Sequence, residues 1–152
     1  MHISSRVALV TQATPDYSSG DLCGGKLAFS RFTRKVNGSG LIKRLNLLSI
    51  DAVGVAATFL LFRADPAAST FTENSAFTIH ADDLPNLLRA IPVPSAGWVT
   101  LTGTAYYETE LALNIPFQAA SDDLYGALVP GGTLNLSSAA SIIAILGGEV
   151  DQ

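Results

Sequence analysis

LIKRLNLLSID, residues Leu41–Asp51, alternates apolar and polar side chains as far as Leu47 and then changes phase. Leu45 and Leu47 share one parity, while Leu48 and Ile50 share the other. A period of two places successive side chains on opposite faces of a strand. A phase change within a strand is what one extra residue produces, so a β-bulge is expected near Leu47-Leu48. Working outward, Val36-Asn37-Gly38-Ser39-Gly40 reads as a flexible turn. Lys26–Phe32 (KLAFSRF) before it again alternates, with Leu27 and Phe29 on one face. Strand, turn and strand together predict a hairpin.

The same grammar continues in both directions. Arg6–Thr11 reads as a strand and Pro15–Gly20 as a turn. Thr58–Phe62 (TFLLF) is apolar on both faces, as a strand in the middle of a sandwich or against a partner would be. Further strands are expected at Ala76–Ile79, Leu87–Val93, Trp98–Thr102, Ala105–Ile115, Leu124–Val129 and Ala140–Leu146. Leu136–Leu146 has enough alanine for a helix, but Ile142, Ile143 and Ile145 favour a strand. Many short strands separated by Gly and Pro predict one all-β domain over residues 1–152, an antiparallel β-sandwich or jelly roll, with residues 1–16 as an N-terminal arm or first strand.

The chain has 152 residues, 14% of them charged and 48% apolar. An ordinary domain has roughly 25% charged residues, so this surface is rich in small and hydroxylated side chains that cost little to desolvate. Cys23 is the single cysteine, which rules out an intramolecular disulfide. No signal peptide is recognisable, and no apolar run approaches the roughly 20 residues of a membrane helix. No membrane partner is expected. The net charge is −4 and unevenly spread: Lys26, Arg31, Arg34, Lys35, Lys43 and Arg44 follow one another with no acid between Asp21 and Asp51. An acidic chain repels nucleic acid as a whole, so the basic run suits an acidic protein surface better than phosphate.

Catalysis has little to build on. His80, Asp82 and Asp83 form the group that most resembles chemistry, but two ligands make a weak metal site and the other histidine, His2, is remote in sequence. Asp82 or Asp83 is expected to cap a turn, since Pro85 allows a helix to start only there. No Gly-x-Ser-x-Gly elbow or phosphate loop is present. Glu108 and Glu110 are a conceivable carboxylate pair that more naturally forms a solvated edge. The chain is therefore expected not to be an enzyme and to hold no metal or other cofactor. Trp98, Phe71, Phe77, Tyr106 and Tyr107 leave a lectin-like sugar-binding domain as an alternative from another class.

Tyr17-Ser18-Ser19-Gly20-Asp21 with Gly24-Gly25, Gly38-Ser39-Gly40 before a long strand, Leu61-Phe62-x-Ala64-Asp65-Pro66 with Ser69-Thr70-Phe71-Thr72-Glu73-Asn74, and Leu124–Val129 together resemble small virion structural proteins of tailed bacteriophages. The likeness is to the cement or decoration type on the outside of the capsid and runs from about Tyr17 to Leu146. It implies a jelly-roll-like fold, no catalytic residues, and the major capsid protein as partner. A tail, head-completion or host-attachment subunit fits the same features. Two surfaces are expected on this reading. Arg31, Arg34, Lys35, Lys43 and Arg44 would dock on the capsid, and Phe59 and Leu61 would mediate self-association into a dimer or trimer.

Overall fold

The computed structural model describes residues 1–100, 107–139 and 141–151, with backbone alone over 107–111. Among the described residues nine strands form two antiparallel sheets. β1 (His2–Ala8), β9 (Ile142–Val150), β3 (Ser39–Ser49), β7 (Tyr107–Gln118) and the short β6 (Val99–Thr100) lie side by side in that order. The second sheet runs β2 (Cys23–Phe29), β8 (Leu124–Pro130), β4 (Ala57–Phe62), β5 (Leu87–Val93). Pairing proceeds from the chain ends inward: β1 with β9, β2 with β8, β3 with β7 and β4 with β5. Such an arrangement is a long antiparallel hairpin wound into two packed sheets, the jelly roll expected from the strand pattern.

The winding overturns the local hairpin. Lys26–Phe32 and the strand after Gly40 lie in different sheets, because each pairs with a strand from the far half of the chain. Residues 30–38 cross from one sheet to the other instead of turning back. The bulge also sits elsewhere: the register of β3 shifts between Ile42 and Arg44 against both β7 and β9. Ile42 points inward before the shift, and Leu45 and Leu47 point inward after it. Ala76–Ile79 forms no strand, making only a single bridge between Ala76 and Asp21. Residues 101–106 of the expected strands Trp98–Thr102 and Ala105–Ile115 lie outside the described residues.

The inner faces interdigitate around Phe29, Phe59, Leu45, Leu61, Ile115, Leu128 and Leu146. The rings of Phe29 and Phe59 stand 6.3 Å apart. Gly126 on β8 makes room for them, since a Cβ there would lie 2.7 Å from Phe59 Cζ. Phe59 and Leu61 have no exposed surface at all. Their assignment to self-association is therefore corrected: β4 is an interior strand, and both side chains belong to the core. The other face of β4 is also covered within the chain. Leu60 and Phe62 join Leu22 and Ala127 beneath Phe71, Phe77 and Ile79, which come from residues 63–80. TFLLF is apolar on both faces because one face meets the opposite sheet and the other meets this arm.

Polar groups fasten the arm. Asn74 N–H donates to Leu22 O and Leu22 N–H to Ser75 O, each at 2.9 Å. Lys26 Nζ lies 2.6 Å from Asp65 Oδ1 and 5.6 Å from the centre of the Phe71 ring. Glu73 accepts from Gly24 N–H at 2.9 Å on each oxygen, and from the hydroxyl of the fully buried Tyr17.

Asp83 takes a different role from the expected cap. His80 caps the 3-10 turn Ala81–Asn86, its Nδ1 accepting from Asp82 N–H at 3.1 Å. Asp83 is buried and accepts from Ser69 N–H and Ser69 Oγ–H, each at 2.6 Å. The Ser69 hydroxyl above all holds the Asp83 carboxyl below the usual carboxylate range, outweighing burial. A depressed native pKa contributes stability above the unfolded value that is lost as pH falls through the native one. Amide exchange at Ser69 is thus expected to accelerate as pH is lowered through the acid range, after correction for intrinsic rates. Asp83→Asn should exchange fast already at neutral pH, and equal protection in both proteins would contradict the assignment.

Candidate docking surface

The five candidate cations come from two segments, and the winding brings both beside β1. Arg31, Arg34 and Lys35 are exposed on the crossing 30–38. Phe32 and Thr33 between them are buried and act as its anchor. Phe32 packs edge-on against Phe117 with ring centres 5.9 Å apart. Thr33 N–H donates to Asp122 O at 2.9 Å, and its hydroxyl to Lys35 O at 2.9 Å. Arg31 sits at φ 54°, a conformation held by its N–H donating to Asp123 Oδ1 at 2.7 Å. A buried pair flanked by outward residues leaves the three long cations projecting to solvent.

Lys43 and Arg44 are exposed at the bulge of β3. The Arg44 side chain lies flat on Gly147 of β9, whose absent Cβ would come 2.7 Å from Arg44 Nε. His2, Ile3, Lys43, Arg44 and Gly147–Glu149 surround a hollow of about 400 Å³. A second hollow, of about 430 Å³, is lined by Ile3, Arg31, Thr33, Arg34 and Asp122. Ile3 of β1 borders both, so the two groups of cations lie on either side of the first strand.

The stretch without acids is not a surface without acids. Lys26 is paired with Asp65, while Asp122 and Glu149 share the hollows with the arginines. Sequence distance concealed this, because Asp65 lies 39 residues from Lys26 and the other two carboxylates arrive from the far half of the chain. The side chains of Arg6, Arg31, Arg34 and Arg44 nevertheless make no ion pair with the described residues. Arg6 escaped the sequence reading because it lies outside the basic run; its exposed place on β1 depends on the pairing with β9.

The other candidate groups are used internally. Among the described residues no cluster of His, Cys, Asp and Glu could hold a metal ion. Cys23 is buried, and burial, with the Glu73 charge, pushes its thiol up to about 12, leaving the protonated form at neutral pH. Trp98 Nε1–H donates to Val55 O at 3.3 Å, and Phe71 packs at a tilt on Phe77 within the arm, ring centres 4.9 Å apart. Tyr106 and the side chains of Tyr107, Glu108 and Glu110 lie outside the described residues. No helix among the described residues is long and apolar enough to cross a membrane.

No protein-family model matches the chain, and no curated protein does. Among solved structures it is similar to the Drosophila NLP core, at 7% identity and a TM-score of 0.40 over 100% of this chain and 99% of that one. It is similar to the Desmodium yellow mottle tymovirus structure at 10% identity and a TM-score of 0.32, over 99% of this chain and 85% of the other. Turnip yellow mosaic virus gives 9% identity and a TM-score of 0.29, over 99% and 91%. Likenesses this distant carry no functional weight, and the strand order defines the jelly roll without them.

Proposed function

We propose that this chain is a structural protein of a virus particle, of the bacteriophage capsid-decoration kind, that docks on an acidic face of the shell formed by the major capsid protein. The observation that carries the reading is the meeting, around β1, of exposed cations from residues 31–35 and 43–44, with Arg31, Arg34 and Arg44 left without an ion-pair partner among the described residues. Unpaired exposed cations are already solvated, so they contribute mainly by steering and by choosing the sign of the partner. Low charge density elsewhere limits the desolvation cost of a broad contact, and repetition over a lattice multiplies modest contacts into avidity.

The test is binding to purified shells that lack the protein. Arg34→Glu combined with Arg44→Glu is expected to weaken binding, and the loss should be larger at low salt, because exposed charges are screened over roughly 10 Å at about 0.1 M ionic strength. Its denaturation midpoint should stay close to that of the unaltered protein. Unchanged binding at low salt by the folded double variant would remove the reading.

A further inference from the structure

β1 is an edge strand whose partner is β9, in unbroken register from His2↔Glu149 to Ala8↔Ile143. The bonds at its ends define which residues bind that partner. Leu9 N–H donates to Ile142 O at 2.9 Å, Val150 N–H to Met1 O at 2.9 Å, and the Met1 amino group to Val150 O at 3.0 Å. In an antiparallel ladder residues alternate between giving both backbone groups to the partner and turning both away. Ile3, Ser5 and Val7 therefore bond β9. His2, Ser4, Arg6 and Ala8, all exposed, turn N–H and C=O to the open side.

The other described edges are interrupted or, like the two-residue β6, short. β5 carries Pro92, and β2 shifts register between Cys23 and Leu27, with Gly24 and Gly25 at positive φ. Proline, bulges and glycine are the usual means by which an edge is protected from pairing with another chain. HISSRVA has none of them. Arginines lie on both of its flanks: exposed Arg6 on the strand itself and Arg44, with Glu149, in one hollow, and Arg31 and Arg34, with Asp122, in the other hollow beside Ile3.

We propose that the free edge of β1 takes up an extended, acidic segment of another protein as an added strand, with backbone bonds at Ser4 and Arg6 and the flanking arginines selecting its charge. Side chains of an added strand alternate between the two flanks, so carboxylates at successive positions would meet Arg6 and Arg44 on one side and Arg31 and Arg34 on the other. A second copy of β1 is a poorer occupant, because HISSRVA supplies the cation Arg6 and no carboxylate. This deepens the docking reading and rests on it for the sign of the partner's charge.

The test is selection from a display library of random twelve-residue peptides against the intact protein. Enriched peptides are expected to carry Asp or Glu at successive positions, one toward each flank, among β-branched residues. Ser4→Pro, which removes an outward N–H and spares the ladder to β9, is expected to weaken the tightest of them about tenfold or more. Arg6→Glu should weaken them in a salt-dependent way. In the unaltered protein, amide exchange at Ser4 and Arg6 should slow when peptide is bound, a readout that holds even if the proline variant misfolds. Acidic peptides that bind without protecting these amides, and equally well to a folded Ser4→Pro, would overturn the added strand and leave the charged docking surface standing. Peptides that need Ser4 but show no acidic bias would overturn the choice of partner and, with it, the role given to the arginines. No enrichment over the Ser4→Pro protein, or a dimer in sedimentation that Ser4→Pro abolishes, would also overturn the proposal.

Discussion

Phe59→Ala is expected to lower the unfolding free energy by about 3–5 kcal/mol, the usual cost of removing a buried phenylalanine. Phe59 is fully enclosed and touches the Phe29 ring across a space that Gly126 leaves open. Collapse into the vacated volume is restricted because β4 is held on both sides by ladders to β5 and β8. Urea denaturation followed by circular dichroism gives the change directly. Sedimentation of the variant at temperatures where it remains folded should match that of the unaltered protein. A variant with unaltered stability and a changed association state would place Phe59 on a surface, contrary to the packing described.

Glu73→Ala is expected to release the arm over residues 63–80. The change orphans the Gly24 N–H and one bond of the Tyr17 hydroxyl, both in buried surroundings. An unmet buried donor costs about 1–3 kcal/mol. With the arm loosened, Leu60 and Phe62 lose the cover of Phe71 and Phe77, so cleavage within the arm by a nonspecific protease should speed up before global unfolding does. Tyr17→Phe keeps the bonds from Gly24 to Glu73 and should cost less, about 1 kcal/mol. Equal protease resistance in Glu73→Ala and the unaltered protein would show that the apolar contacts alone hold the arm.

Local alternation was enough to show that this chain is built of short strands, as at Leu41–Leu47 and Lys26–Phe32, because a half-buried strand writes its two faces into consecutive residues. The same signal carried the fold class, through the number of strands and the turns between them. Pairing was another matter. Gly38-Ser39-Gly40 looks like a hairpin turn whether the next strand returns to its neighbour or crosses to the opposite sheet, since a turn sequence restricts φ and ψ over a few residues and not the partner beyond them. The bulge at Ile42/Arg44 is likewise a property of β3 with its two neighbours, and glycines at 147 and 148 accommodate it from across the sheet.

The docking surface divides in the same way. Composition exposed the basic run Lys26–Arg44, for charge is legible residue by residue. Which of those cations remain unpaired was decided by the winding, which set Asp65 on Lys26 yet left the side chains of Arg31, Arg34 and Arg44 without an ion pair among the described residues and exposed Arg6 on β1. TFLLF gave its apolar content to the reader but not its cover, because an arm such as residues 63–80 is hydroxylated and glycine-free and carries no period of its own. Period, charge and turn chemistry are properties of neighbouring residues and were determined by the sequence alone. Strand partners, edges and unpaired charges are relations between residues far apart in the chain, and closure of the two sheets decided them.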